Sequence, residues 1–369
     1  MTADPLWGPQ GRSDAAQDQE SLEIFLKYTS PGKRQAATEG RPYQVDIELT
    51  SQCHAGCKYC LAGSESSRTT YLETGRMLRF LEEMAELGMQ QAMWAGGDPV
   101  LHPDFWCLVD KATEVGLRNV IFTSGMISKA LAKRFVEHPN VGMVGFNFET
   151  IDQGVFDELH HNPKVLQAKI EGYGNLLEAG FPRSRILPIP TLSRPMAQRI
   201  EETLDFVVDE MGASNLGFLV YKPYGLACGQ HHWEPSLSDV RRVFEYRAKK
   251  LGNHWLRIAT MECSKLYCQA KFSLTCDGGV SPCSQMSRDL VVANIYELSL
   301  QEIFEKHGDT LLFRTLKLKG KCADCENNDV CWGCRALAYH YLGDMEASDP
   351  KCWMNPEAKE RYLSPDALP

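Results

Sequence analysis

Three cysteines stand within eight residues, Cys53, Cys57 and Cys60, spaced x3 and then x2 around Gly56. Thiolates are soft ligands that select iron–sulfur clusters, zinc or copper(I). Zinc sites pair cysteines as Cys-x2-Cys and add a second pair. The wider first gap therefore favours a cluster, with a zinc ion completed by His54 or a distant residue as the alternative. A cubane has four irons, so three local thiolates leave one iron open to a substrate or cofactor. Eight more cysteines follow as Cys263-x4-Cys268-x14-Cys283, then Cys322-x2-Cys325-x5-Cys331-x2-Cys334, then Cys352. Eight thiolates are what two fully ligated cubanes require. A four-cysteine zinc knuckle of Cys322, Cys325, Cys331 and Cys334 competes with that reading, but it leaves the other four unexplained. Cys107, Cys228 and Cys276 fall outside both sets. Cys107 reads as a core residue of a helix, since free cysteine behaves as a small hydrophobe, and Cys276 flanks the hairpin turn signalled by Asp277-Gly278-Gly279.

Composition narrows the setting. The chain has 369 residues, 43% hydrophobic and 24% charged, enough for a large core in two or three domains or in one with an appendage. A net charge of −9 makes nucleic acid a poor partner. No run of about 18 apolar residues marks a membrane span, and the first twenty residues lack the apolar core of a signal peptide. The expected compartment is the cytoplasm, where fourteen cysteines point to metal binding and not to disulfides.

Such ligands need a scaffold to hold them. Residues 1–42 read as a flexible tail. Short apolar runs at Gln44–Thr50, Gln91–Gly96, Asn119–Ser124, Val141–Phe148, Arg185–Thr191 and Leu216–Lys222 predict strands. Helices are predicted between them at Glu73–Leu87, Asp104–Val115, Ser128–Glu137, Val165–Ala179 and Met196–Glu210. Gly88, Gly116 and Gly180 stand where the first, second and fourth of these helices stop. Six strand–helix units imply an α/β fold with a parallel sheet, a partial (β/α)6 barrel of the TIM type over residues 43–235. Ligands of such sheets bind beyond the carboxyl ends of the strands. A linker over 236–254, helical from Ser238 to Leu251, leads into a turn-rich, cysteine-rich domain over 255–369.

The Cys-x3-Cys-x2-Cys run directly follows the first strand and has Tyr59 before its last cysteine. It resembles the signature of the radical S-adenosylmethionine (SAM) superfamily. The resemblance implies that Cys53, Cys57 and Cys60 hold a [4Fe–4S] cluster whose open iron takes the amine and carboxylate of SAM. One electron then cleaves SAM to methionine and a 5′-deoxyadenosyl radical, which removes a hydrogen atom from the substrate. Three later strand ends carry motifs that fit. Gly96-Gly97-Asp98-Pro99 resembles the family's Gly-Gly-Glu-Pro at the SAM amine, with Asp in place of Glu. Thr123-Ser124-Gly125 is similar to the Thr-Asn-Gly turn near the ribose. Asn147-Phe148-Glu149-Thr150 is similar to the Ser-hydrophobic-Asp segment. Tyr59, Gly96, Gly97, Asp98, Pro99, Ser124, Asn147 and Glu149 are the SAM-site residues implied. Read singly, each motif is an ordinary solvated turn.

The late cysteines resemble the SPASM extension of this superfamily. Cys268, Gly278 and Cys283 satisfy its first part, while the x2 gap before Cys334 departs from the usual x3. By resemblance, Cys263, Cys268, Cys283 and Cys334 hold one auxiliary cluster, and Cys322, Cys325, Cys331 and Cys352 hold a second. The expectation is then three [4Fe–4S] clusters.

Fully ligated auxiliary clusters suit electron transfer, because a substrate radical can lose a further electron to one nearby. The expected enzyme is of oxidoreductase type and oxidises or crosslinks its substrate. The leading substrate is a ribosomally made peptide, as in natural-product biosynthesis. A small metabolite such as an aminocyclitol or sugar is the second class, and a non-catalytic metal scaffold the third. The resemblance implies a flavodoxin- or ferredoxin-type electron donor. The segment before residue 43 is shorter than the roughly 50 residues a domain needs, so leader-peptide recognition would fall to a separate protein. Sulfatase-maturing relatives carry an Asp base after the third cysteine of the first auxiliary set. That position is Ser284 here, a poor base. Asp277, Glu149 and Tyr221 are the candidate bases. Arg183, Arg185, Lys222 and Tyr224 are candidate contacts to substrate or to the SAM carboxylate, or else salt-bridge the barrel rim.

Overall fold

The computed structural model describes residues 31–214, 216–258, 264–286 and 288–363. Residues 1–30 of the expected tail and Cys263 lie outside the described residues.

Gln44–Thr50 (β1) is buried along its whole length and alternates polar with apolar side chains. Val45, Ile47 and Leu49 join the core beside Met77, Phe80, Leu81 and Met84 of the helix Thr74–Glu86. The opposite face carries Gln44, Asp46 and Glu48 into the sheet's concave side, where polar partners meet them. Gln91 donates to Gln44 at 2.7 Å, and Lys271 forms an ion pair with Asp46. This period-2 division is what a strand between a helix layer and a polar interior requires.

β1 pairs in parallel with Gln91–Gly96 (β2), which pairs with Arg118–Thr123 (β3), then Val141–Phe146 (β4), then Ile186–Pro188 (β5). The run expected at Arg185–Thr191 breaks after β5 and resumes as Thr191–Leu192 (β6). Pro188 and Pro190 lack amide protons and cannot complete a ladder. Leu219–Val220 (β7) pairs in parallel with β6. The amides of Gly217, Leu219 and Tyr221 donate to the carbonyls of Pro188, Pro190 and Leu192, so the sixth run keeps its place in the order. The parallel α/β architecture follows the sequence expectation.

The intervening helices begin and end on recognisable signals. Glu73 caps Thr74–Glu86 by accepting the Gly75 and Arg76 amides, and Gly88 follows at φ +70°. The long helix expected at Met196–Glu210 is instead two short helices, Arg194–Gln198 and Ile200–Asp205, and a wide turn over Phe206–Glu210. Met196, Ile200, Leu204 and Val207 stay buried across the break, so it keeps their side chains on the sheet. Among the described helices without a counterpart in the sequence reading are two in the first half of the chain, besides three in the cysteine-rich segment, Lys265–Cys268, Leu300–Leu311 and Arg335–Leu342. Gln153–Leu159 is capped by the Asp152 side chain. Pro31–Thr38, assigned by composition to the tail, buries Ala36 against Tyr43 and Ala270, with Lys33 4.6 Å from the Tyr267 ring.

The cysteine-rich segment contributes to the same sheet. Lys271–Leu274 (β8) pairs in parallel with the free edge of β1, Gln44 standing opposite Lys271. Gly279–Ser281 (β9) returns antiparallel through the hairpin expected beside Cys276, and Ala293–Asn294 (β10) extends it. The strand order is β10-β9-β8-β1-β2-β3-β4-β5. The chain end is latched to the segment before the helix Leu237–Leu251. Glu234 and Lys351, both fully buried, pair at 2.6 Å, and Glu234 also accepts the amides of Tyr362 and Leu363. No helix among the described residues is long and apolar enough to cross a membrane.

Two stability predictions follow from these contacts. A methyl group at Gly97 would lie 2.0 Å from the Gln52 carbonyl oxygen, whereas one at Gly174 meets nothing within 4 Å. Gly97→Ala is expected to cost about 1–3 kcal/mol, read as a lower urea midpoint, and Gly174→Ala to leave the midpoint unchanged or higher. Lys351→Met takes the 2.6 Å ammonium partner from the buried Glu234 carboxylate and is expected to cost about 3–5 kcal/mol, measured as a fall in thermal midpoint.

Candidate functional site

The cysteine loop leaves the carboxyl end of β1 and is pinned on two sides by backbone. Gly97 donates to the Thr50 carbonyl at 2.6 Å and Asp98 to the Gln52 carbonyl at 2.7 Å. Gly96, at φ +113°, and Gly97 permit this approach because a Cβ on the first would strike the β1 backbone and one on the second the Gln52 backbone just after it. On the other side Cys57 and His160 form an antiparallel bridge. Lys58 donates to Leu159 and His161 to Gly56, each at 2.9 Å.

Asp98 joins two of the expected motifs. Its carboxylate accepts from Thr123 Oγ1 at 2.7 Å, from the Ser124 amide at 3.2 Å and from Ser124 Oγ at 2.5 Å. Pro99 starts the single turn Pro99–Leu101 that follows. The ends of β2 and β3 are thereby tied together beside Cys53, whose thiol feels the Asp98 charge.

A buried polar group lies behind the loop. Glu149, 1% exposed, accepts from Lys169 Nζ at 3.1 Å, from Asn147 Nδ2 at 2.9 Å and from the Tyr59 hydroxyl. His160 Nε2 lies 3.4 Å from the same carboxylate and Nδ1 3.2 Å from the Ala55 carbonyl. The ring stacks on Phe156 at 3.9 Å. Asn147 also reaches Thr191 Oγ1 at 3.3 Å. Tyr59, Asn147 and Glu149, expected along the SAM site, meet in this buried group, and His160 and Lys169, which the sequence reading does not single out, complete it. The available signal was Lys169 itself, a charge on the apolar face of Val165–Glu178 among Val165, Leu166, Tyr173 and Leu176.

These charges shape the thiols. Burial, then the Cys57 thiolate, pushes Cys53 up to about 12, and the same two causes raise Cys60. Burial also works to raise Cys57, but the His160 ring beside it and the Lys169 ammonium outweigh burial and lower it. Burial opposes ionisation of Glu149, yet Lys169, His160 and Tyr59 hold it well below the usual carboxylate range. Burial, the Cys57 thiolate and Glu149 hold the Tyr59 phenol well above its ordinary value.

The other singled-out side chains are placed differently. The Tyr221 hydroxyl donates to the carbonyls of Ala227 at 3.1 Å and Gln230 at 2.7 Å, and burial raises its pKa, so it braces the loop after β7. Asp277 is exposed in the β8–β9 hairpin and accepts from Thr275 Oγ1 at 2.5 Å. Arg183 donates to the Met211 carbonyl at 2.6 Å, Arg185 closes the turn before β5, and Lys222 donates to the Val220 carbonyl at 3.0 Å. Tyr224 stacks on His340 at 4.5 Å and donates to Asp289 at 3.3 Å. Ser284 is not isolated, because it donates to Asp46 Oδ2 at 3.3 Å.

The C-terminal cysteines separate into two neighbourhoods. Cys322, Cys325, Cys331 and Cys352 border one partly open pocket, with Trp332 and Met354 in its wall. Asp349 organises its rim: its amide donates to Cys322 Sγ at 3.4 Å and its carboxylate accepts the Cys334 amide at 2.7 Å. Cys334 turns away as the cap of the helix Arg335–Leu342, its sulfur accepting the Leu337 amide at 3.4 Å. Burial lifts the Cys334 thiol to about 12, Lys222 opposing and Asp349 and Cys283 adding to the rise. Cys268 ends the helix Lys265–Cys268 just before β8. Among the described residues no three His, Cys, Asp or Glu side chains close on one ion-sized point. Four thiols around a shared volume are a donor set suited to a polynuclear cluster.

Comparison with known proteins agrees with this geometry. Residues 47–207 match the radical SAM superfamily, and residues 263–335 match SPASM, an iron–sulfur cluster-binding domain. The two imply SAM and iron–sulfur clusters as cofactors. The chain is 28% identical to the AdoMet-dependent heme synthase of Methanosarcina barkeri, over 88% of this chain and 99% of that protein. It is 26% identical to the PqqA peptide cyclase of Methylorubrum extorquens, over 88% of each. In fold it is similar to Streptococcus suis SuiB bound to the precursor peptide SuiA, with a TM-score of 0.65, 17% identity, and coverage of 93% of this chain and 82% of that one. It is also similar to anSMEcpe with bound AdoMet and the Cp18Cys peptide, with a TM-score of 0.65, 16% identity, and coverage of 87% and 93%. The chain belongs to the radical SAM superfamily, in the subfamily that carries a SPASM extension.

Proposed function

We propose that this chain cleaves SAM reductively and uses the radical to oxidise or crosslink a ribosomally made peptide. In this reading residues 43–235 form the SAM-binding barrel, 236–254 a linker, and 255–369 the auxiliary domain. Cys53, Cys57 and Cys60 hold the SAM cluster. Cys263, Cys268, Cys283 and Cys334 hold one auxiliary cluster and Cys322, Cys325, Cys331 and Cys352 the other. When bound, the clusters supply the electron that splits SAM and an acceptor for the electron a substrate radical loses. The chain's own residues position the parts. Gly96 and Gly97 bring the β2 backbone against the cysteine loop, and Asp98, oriented by Thr123 and Ser124, presents a carboxylate to the SAM amine. Asn147 continues the polar rim, Tyr59 turns inward from the cysteine loop to Glu149, and Ser284 with Asp46 lines the interior beyond it.

The observation that carries the reading is the convergence of the first three strand-end motifs. The backbone bonds of Gly97 and Asp98 and the Asp98 carboxylate tie the ends of β1, β2 and β3 at one rim. The cavity edged by Cys322, Cys325, Cys331 and Cys352 supports the crossed auxiliary assignment over a zinc knuckle, because Cys334 lies apart from it. Peptide modification is favoured by the relatives named as PqqA peptide cyclases. The relative named as a heme synthase gives a small-molecule substrate as the second reading. A flavodoxin- or ferredoxin-type protein would deliver the electron, and a separate protein would present a leader peptide.

Anaerobic reconstitution is expected to load about twelve irons per chain, four for each cubane, and dithionite with SAM to yield 5′-deoxyadenosine. About four irons with zinc present would sink the auxiliary assignment. Cys57→Ser is expected to abolish 5′-deoxyadenosine formation. The double variant Cys325→Ser with Cys352→Ser is expected to lose about four irons while still cleaving SAM. Co-expression with a precursor peptide encoded beside the gene should remove two hydrogens per modification, read by mass spectrometry. An unmodified peptide together with turnover of a small molecule would favour the second reading.

A further inference from the structure

Glu149, Lys169 and His160 are more than a brace for the cysteine loop. They are 1%, 0% and 2% exposed, so water does little to screen them. His160 is held in one orientation by its bridge to Cys57, its stacking on Phe156 and its contacts to Ala55 and Glu149. In an antiparallel bridge the paired side chains leave the same face, which sets the imidazole beside the Cys57 side chain. Lys169 reaches into this group from the helix Val165–Glu178 and pairs with Glu149 at 3.1 Å. Its ammonium and the Glu149 carboxylate are thus two opposite charges buried behind the cysteine loop. An electron added to a cluster ligated there would be drawn by the ammonium and repelled by the carboxylate, with little solvent between to screen either.

We infer that this buried group sets the reduction potential of the cluster ligated at Cys57, with Lys169 favouring the added electron and Glu149 opposing it. The inference rests on the reading that Cys53, Cys57 and Cys60 hold a redox cluster. Net charge and hydrogen bonds to ligand sulfur are established determinants of such potentials. A purely structural ion pair would behave differently. Its loss from either side would loosen the loop in the same way, whereas an electrostatic role gives shifts of opposite sign.

The test is a potentiometric titration of the anaerobically reconstituted full-length enzyme, followed by electron paramagnetic resonance. The signal that changes on adding SAM reports this cluster, and the other signals serve as internal controls. Lys169→Gln is expected to disfavour reduction about tenfold, or about 59 mV for one electron. Glu149→Gln, which keeps hydrogen-bonding capacity, is expected to favour it by a similar factor. Lys169→Arg retains the charge and is expected to stay close to the wild-type potential. Should Lys169→Gln fail to hold iron, the rise with Glu149→Gln and the unchanged value with Lys169→Arg still decide the matter. Clusters present with unmoved potentials, or with both glutamine variants shifted the same way, overturn the inference alone. A wild-type chain that binds no iron overturns the cluster reading and the inference with it.

Discussion

The contact on which the site depends is one of backbone against backbone. Gly97 sits so close to Gln52 that no side chain fits between them, and the amides of Gly97 and Asp98 close on the carbonyls of β1's outgoing loop. Hydrogen bonds of this kind fix the cysteine loop without spending a side chain, which leaves Asp98 to face Thr123 and Ser124. Three strand ends are locked by one short run of residues. A displacement of β2 would therefore move the cysteines, the carboxylate and the third strand end together.

The interior behind this rim is polar for a reason that lies in the strand pattern. β1 gives one face to helix packing and the other to Gln44, Asp46 and Glu48. Burying such groups is unfavourable unless each has a partner, and the partners come from distant parts of the chain. Lys271 answers Asp46, Arg288 lies 3.8 Å from Glu48, and Gln91 answers Gln44. The first and last thirds of the protein are joined through charge on one side of the sheet and through β8 on its edge.

The legible and illegible parts divide along the same line. Strands β1 to β4 and their helices were readable because buried apolar runs, glycine stops and caps are local signals. The Cys53–Cys60 spacing and the strand-end motifs were readable for the same reason, since each lies within a few residues of chain. The pairing of β8 with β1 left no local trace, because Lys271–Leu274 reads as an ordinary short run until its partner is known. The break between Gln198 and Ile200, and the helix Gln153–Leu159, were decided by packing that overrides a continuous or absent periodicity. His160 and Lys169 each carry their meaning only through Glu149. One ionic residue on an apolar helix face signals an unseen counter-charge without saying where it comes from.

The edge position of β8 also bears on how the chain is made. Gln44 and Lys271 are neighbours in the sheet but more than two hundred residues apart in sequence. A ribosome adds roughly 5–20 residues per second, so β1 emerges many seconds before the strand that covers its open edge. During that interval the nascent barrel presents an unpaired strand and the half-shielded thiols of Cys53, Cys57 and Cys60. Exposed edges recruit other strands, and uncapped thiolates are open to oxidation. The sheet can thus close only after the cysteine-rich segment is made, and until Lys271–Leu274 arrives the open edge and those thiols stand exposed together.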